Sequence, residues 1–167
     1  MANTGCGYHT HDGYIRRLGL AAGRVRSVVD TLVDTSVLVS ATNAREAAHR
    51  RCLAALTATL GRLVISPLVL AEADYMIARL GQVPAEVAML QDIRDNMTVA
   101  QFSNDDLDQA ITVVEQYTDL NIGITDASIV VLAARYHTTR ILTLDHKHFQ
   151  AIMPLASGDH FTLLPSS

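Results

Sequence analysis

From Val29 to Val39 the chain is a nearly unbroken run of apolar and β-branched residues, interrupted by Asp30 and Asp34. The stretch ending in "TLVD" at 31–34 predicts a short buried strand. "AREAAHRRCLAALTATL" at 44–60 sets Ala48, Cys52, Ala55, Leu56 and Leu60 at helical spacing. "RLVI" at 62–65 is again a strand, and Ser66 with Pro67 then supplies an N-cap and a proline at the first helical position. The helix they open runs to about Leu80 and stops at Gly81. Another begins near Pro84, with Val87, Leu90 and Met97 on one side, and "MTVAQF" at 97–102 is a strand. Ser103, followed by Asp105 and Asp106, opens a helix carrying Leu107, Ile111 and Val114. "TDASIVVLAARY" at 125–136 is apolar on nearly every side, as in a helix sunk deep in a fold. "RILTLD" at 140–145 and "HFTLL" at 160–164 complete the strands. The alternation predicts an α/β fold of three layers, α/β/α, around a central parallel sheet of about five strands.

Residues 1–27 break the pattern with Gly, His, Thr and Arg, including "HTH" at 9–11. They are read as a poorly ordered extension or an over-long assigned start, and 28–167 as the folded domain. At 167 residues the chain is one domain with room for a substantial core. No apolar run approaches the roughly 18 residues of a membrane span, and "IRRLGLAAGRV" is too short and too charged for a signal peptide. Cys6 and Cys52 form no CxxC, so neither a disulfide nor a zinc framework is expected. The cytoplasm is the expected location.

Charge narrows the function classes. Residues 28–167 hold nine basic and sixteen acidic residues, a net of −7. Such a body offers no generic nucleic-acid footprint. Any nucleic-acid chemistry must come from a local site in which metal ions reverse the sign of the field.

Four acids are candidates for that site. Ligands of an open parallel sheet bind beyond the carboxyl ends of its strands, where strand order reverses. Asp34 and Asp145 end two predicted strands and share a crevice if those strands are neighbours. Asp126 lies in the first turn of the buried helix, and Glu72 about two turns into the helix after the second strand, among Leu70, Ala71 and Ala73. Each has a plainer reading: a cap for Asp126, a turn for Asp145, a solvated helix position for Glu72. Asp34 is hardest to dismiss, because a helix-like run follows it. Two carboxylates 4 Å apart repel by roughly 4 kcal/mol at an effective dielectric near 20. Four in one crevice therefore need a cation, and all-oxygen ligands select a hard one, Mg²⁺ or Mn²⁺. His146 and His148 in "DHKH" are read as solvated turn residues rather than zinc ligands.

"VDTSVLV" at 33–39, "SPLVLAEADYMI" at 66–77, "GITDASIVVLAARY" at 123–136 and "ILTLDHKHF" at 141–149 resemble the four acidic motifs of PIN-domain ribonucleases. The closest likeness is to VapC-type toxins of bacterial toxin–antitoxin pairs, over residues 30 to 164. The resemblance implies a PIN fold, Mg²⁺- or Mn²⁺-dependent endoribonuclease activity, a homodimer, and neutralisation by a VapB-type antitoxin. Its catalytic and metal-binding acids would be Asp34, Glu72, Asp126 and Asp145. Ser36 would support the first acid and a metal-bound water, and Thr143 is the small hydroxyl residue before the last acid. Arg135, Arg140 and Lys147 are candidates for holding the RNA backbone. The family's continuation follows Asp34, which leaves Asp30 as a solvated residue at the strand's start. The long N-terminal extension departs from the family.

Other classes fit less well. A phosphoacceptor receiver domain needs an acidic pair at the first strand end, where Asp34-Thr35-Ser36 stands, and a haloacid-dehalogenase phosphatase needs an aspartate where Ser36 is. A non-catalytic PIN-like interaction module would keep the fold without needing all four acids.

Overall fold

A computed structural model describes residues 29–80 and 83–165. The predicted extension at 1–27 and the helix stop at Gly81 lie outside the described residues. Five three-residue strands, β1 (Thr31–Val33), β2 (Leu63–Ile65), β3 (Met97–Val99), β4 (Arg140–Leu142) and β5 (Thr162–Leu164), form one parallel sheet in the order β3-β2-β1-β4-β5. Every residue of β1 and β2 is buried, as expected of inner strands covered on both faces, whereas the edge strands β3 and β5 are partly exposed.

Among the described residues, seven α-helices flank the sheet: α1 (Thr35–Thr42), α2 (His49–Ala58), α3 (Pro67–Arg79), α4 (Val83–Asn96), α5 (Asn104–Gln116), α6 (Ile124–Arg135) and α7 (His146–Ala151). Ser66 caps α3 by accepting the Leu68 N–H, with Pro67 just inside the helix. Ser103 and Asp106 form the capping box that starts α5. On α6 seven consecutive residues, Ala127 to Ala133, are buried against β1 and its neighbouring helices α3 and α5, so the predicted deep helix is present.

Three helical readings change. The segment at 44–48 is turn rather than helix, because the Asn43 side chain accepts the Arg45 N–H and its carbonyl accepts the Glu46 N–H; α2 begins only at His49, and Leu60 is exposed. On α4 the buried residues are Met89 and Ile93 rather than Val87, and Met97 has left the helix to pair with Leu63. On α5 Asp106, Ala110 and Val113 face inward, while Leu107 and Ile111 are exposed. The Arg135 guanidinium of α6 pairs with the Asp106 carboxylate, and small Ala110 lets the two helices approach, so an ion pair rather than the larger side chains sets the rotation of α5.

Candidate active site

The chain lays down β1, β2 and β3 in one direction and then returns to the far side of β1 with β4, which makes the gap beyond β1 and β4 the switch point of the sheet. Val33 pairs with Leu142, so Asp34 and Thr143 leave their strands side by side. Asp34 caps α1, with its Oδ1 accepting the Thr35 N–H at 2.7 Å. Its Oδ2 accepts two hydroxyls, from Ser36 at 2.5 Å and Thr143 at 2.8 Å. These hydroxyls are themselves held: Ser36 Oγ accepts the Leu144 N–H at 2.9 Å, and Thr143 Oγ1 accepts the Asp145 N–H at 2.8 Å. Ser36 and Thr143 thus stitch the start of α1 to the loop that delivers Asp145.

Asp34 is only 5% exposed, and every partner in this hydrogen-bond set is neutral. Burial pushes its carboxyl above the usual range; the bonds from Ser36, Thr143 and the backbone of Thr35 and Ser36 oppose the rise without cancelling it. Asp126 sits at the third position of α6, where its Oδ2 accepts the Gly123 N–H at 3.3 Å. Its carboxyl is also raised, first by burial and further by the charges of Asp34 and Asp145, against the Gly123 bond and the field of His148. Asp34, Asp126 and Asp145 therefore share one electrostatic neighbourhood although they come from three elements.

Glu72 is placed differently. It is exposed on α3, and its Oε2 accepts the Thr35 hydroxyl at 2.6 Å, which ties it to the residue after Asp34. Asp145 is a helix cap rather than a strand end: Oδ1 accepts the His148 N–H at 3.1 Å, and Oδ2 lies 2.9 Å from His148 Nδ1 without hydrogen-bond alignment. His146 and His148 belong to α7 and not to a turn.

The three basic candidates separate. Lys147 is exposed in the first turn of α7, beside Asp145. Arg135 is at the opposite end of α6 from Asp126, bonded to the Gln101 carbonyl and Asp106. Arg140 opens β4 at the other end of the sheet, where its Nε donates to Thr31 Oγ1. Asp30 is not solvated either; it is ion-paired to Arg62 at 2.6 Å, with its side chain only 11% exposed.

Two contributors escaped the sequence reading. Nothing in the sequence links Thr35 to Glu72, 37 residues away. His148 was legible in principle, since a capping aspartate at 145 puts residue 148 within reach, but "DHKHF" was read as a turn.

As donors, the acids suit a hard divalent cation: all are carboxylates, and Asp126 is destabilised by two of the others. Among the described residues, no three His, Cys, Asp or Glu side chains stand as a ready-made metal cage. Asp145 is turned to His148 and Glu72 to Thr35.

Comparison with known proteins agrees with this architecture. The PIN domain family matches residues 31–152. Ribonuclease VapC26 of Mycobacterium tuberculosis is 39% identical over 135 residues, which is 80% of this chain and 99% of the relative. Among solved structures, M. tuberculosis VapC20, a sarcin–ricin-loop-cleaving toxin, superposes with a TM-score of 0.65 at 19% identity, covering 76% of this chain and 99% of its own. VapBC2 of Rickettsia felis, bound to promoter DNA, gives 0.61 at 22% identity, with 82% and 100% covered. A toxin–antitoxin complex of Klebsiella pneumoniae gives 0.57 at 19% identity, with 76% and 99% covered. The chain belongs to the PIN-domain family, among the VapC-type ribonucleases of toxin–antitoxin pairs.

Proposed function

We propose that this chain is the toxin of a VapBC-type pair, an endoribonuclease that hydrolyses RNA phosphodiester bonds with Mg²⁺ or Mn²⁺ and so arrests translation and growth. The carrying observation is Asp34: a carboxylate buried at the sheet's switch point, whose charge acts on Asp126 and whose hydrogen-bond donors are all neutral. Leaving such a charge without a cation is costly. An acidic body that must receive a polyanion has the same need.

Asp34, Asp126 and Asp145 would hold the metal, with Glu72 as a further ligand directly or through water. A bound divalent ion supplies charge neutralisation at the phosphate and a more acidic water. The chain's own residues do the rest. Ser36 and Thr143 hold Asp34 Oδ2 from two sides, which fixes the carboxylate's orientation before substrate arrives. Thr35 keeps Glu72 at the same helix terminus. Asp126 is held at the third position of α6 by the Gly123 N–H that its Oδ2 accepts. Lys147, exposed beside Asp145 in the first turn of α7, would hold the RNA backbone.

A VapB-type antitoxin as partner is supported by the toxin–antitoxin complexes that share the fold. A homodimer belongs to the same proposal. Inducible expression tests the whole reading. Growth should stop and recover on co-expression of a small protein encoded beside the toxin, and the purified chain should cut RNA with Mg²⁺ or Mn²⁺ but not with EDTA. Uncut RNA under all metal conditions, with no arrest of growth, defeats it.

A further inference from the structure

Glu72 and Asp126 ride on α3 and α6, and one buried polar contact joins the beginnings of these two helices. Ser66 and Ser128 are both fully buried, and their Oγ atoms lie 2.7 Å apart across 62 residues of sequence. Ser128 Oγ also lies 2.6 Å from the Thr125 carbonyl, and Ser66 Oγ accepts the Leu68 N–H at 3.2 Å. A hydroxyl has one proton to give, and the Thr125 carbonyl can only accept. Ser128 must therefore donate to Thr125, and Ser66 must donate to Ser128. The result is a one-way chain: Leu68 N–H to Ser66, Ser66 O–H to Ser128, Ser128 O–H to Thr125. Each hydroxyl gives its proton and accepts one bond.

We infer that Ser66 and Ser128 are positioning residues that set the separation of Glu72 from Asp126. Ser66 caps α3, of which Glu72 is the sixth residue, and Ser128 is two residues past Asp126 and bonded to the Thr125 carbonyl just before that aspartate. A turn of either helix about its axis would stretch a contact between two fully buried hydroxyls. Capping accounts for the hydroxyl of Ser66, but helix propensity and apolar packing do not account for Ser128, since Ala or Leu would serve a buried helix face better. Ser128 is the second residue of the seven-residue buried run of α6, where a polar group needs a reason, and the contact with Ser66 supplies one.

This inference rests on the nuclease reading and is tested through Mn²⁺ binding, measured by calorimetry on the metal-free full-length chain. Ser128→Ala strands the Ser66 proton in the core, whereas Ser66→Ala/Ser128→Ala removes both hydroxyls and leaves the Leu68 N–H without its cap. Losing that cap costs about 1 kcal/mol, against about 1–3 kcal/mol for a hydroxyl stranded in the core, so both variants should fold and Mn²⁺ binding is compared between folded proteins. Residues behind metal ligands typically matter about tenfold to a hundredfold; one step further back, both variants should bind Mn²⁺ roughly threefold to tenfold more weakly and show reduced kcat with KM for RNA little changed. A double variant that binds Mn²⁺ and turns over like the parent makes the pair a stability element only and overturns the inference. A parent chain that takes up no Mn²⁺ defeats the nuclease reading and this inference with it; binding by parent and variants alike defeats this inference alone.

Discussion

The triplet Val-Asp-Thr occurs twice, at 29–31 and 33–35, and β1 separates the two aspartates. At the amino end of the strand Asp30 has its own cation: Arg62 Nε and Nη2 grip both carboxylate oxygens at 3.0 and 2.6 Å, while the guanidinium also lies 5.7 Å from the Tyr136 ring centre. At the carboxyl end Asp34 has hydroxyls and backbone N–H groups, and its charge acts on a further carboxylate, Asp126. The same three residues thus make a closed ion pair at one end of a three-residue strand and an unneutralised anion at the other. Sheet polarity explains the difference. The carboxyl ends of parallel strands open onto the starts of α1, α3 and α6, whereas the amino end of β1 meets the loop before β2.

Replacing each aspartate by asparagine breaks this comparison most sharply. Asp34→Asn should reduce metal-dependent RNA cleavage by on the order of a hundredfold or more, since even residues behind a ligand cost tenfold to a hundredfold. Asp30→Asn should leave cleavage within about twofold, with melting lowered by no more than about 3 °C, since the arginine of the pair faces solvent. Equal losses of cleavage in the two variants would mean that the triplets are not functionally distinct.

Thr143→Val asks whether the neutral shell around Asp34 matters. It removes the donor to Asp34 Oδ2 and the acceptor of the Asp145 N–H while keeping the side chain's volume. Cleavage should fall about tenfold to a hundredfold, and unfolding in urea should show a loss of about 1–3 kcal/mol. Full activity in a destabilised variant would make Thr143 a packing residue.

The smallest effect is on stability alone. A carboxyl whose folded-state pKa lies above its unfolded value destabilises the fold fully at neutral pH, and the penalty is relieved as pH falls through the raised value. Asp126 is such a group. In EDTA, Asp126→Asn should melt above the parent at pH 7. The gap should close as the pH is lowered through the raised Asp126 pKa. A gap that widens on acidification would reverse the sign assigned here. Added Mn²⁺ should stabilise the parent and not the variant.

Much of the fold was written locally. Ser66-Pro67, the Ser103–Asp106 box and the apolar run of α6 announce their elements through capping and burial, which depend on neighbours within one turn. Asp34, Glu72, Asp126 and Asp145 could be picked out because a charge beside apolar residues is costly wherever the chain goes, and because together they resemble a known set of motifs. The rotation of α5 could not be read this way. Hydrophobicity favoured Leu107 and Ile111, but the buried side was decided by Arg135, 29 residues beyond Asp106.

The sequence by itself determined the order of the strands and of most helices, the caps of α3 and α5, and which four acids to ask about, because each follows from interactions a few residues long. Only the tertiary structure decided which of two identical triplets received an arginine, that Thr35 would hold Glu72, and that Ser66 would meet Ser128. Those outcomes depend on which strand lies beside which. That choice is made by the packing of the whole sheet and its helices, and no short stretch of residues contains it.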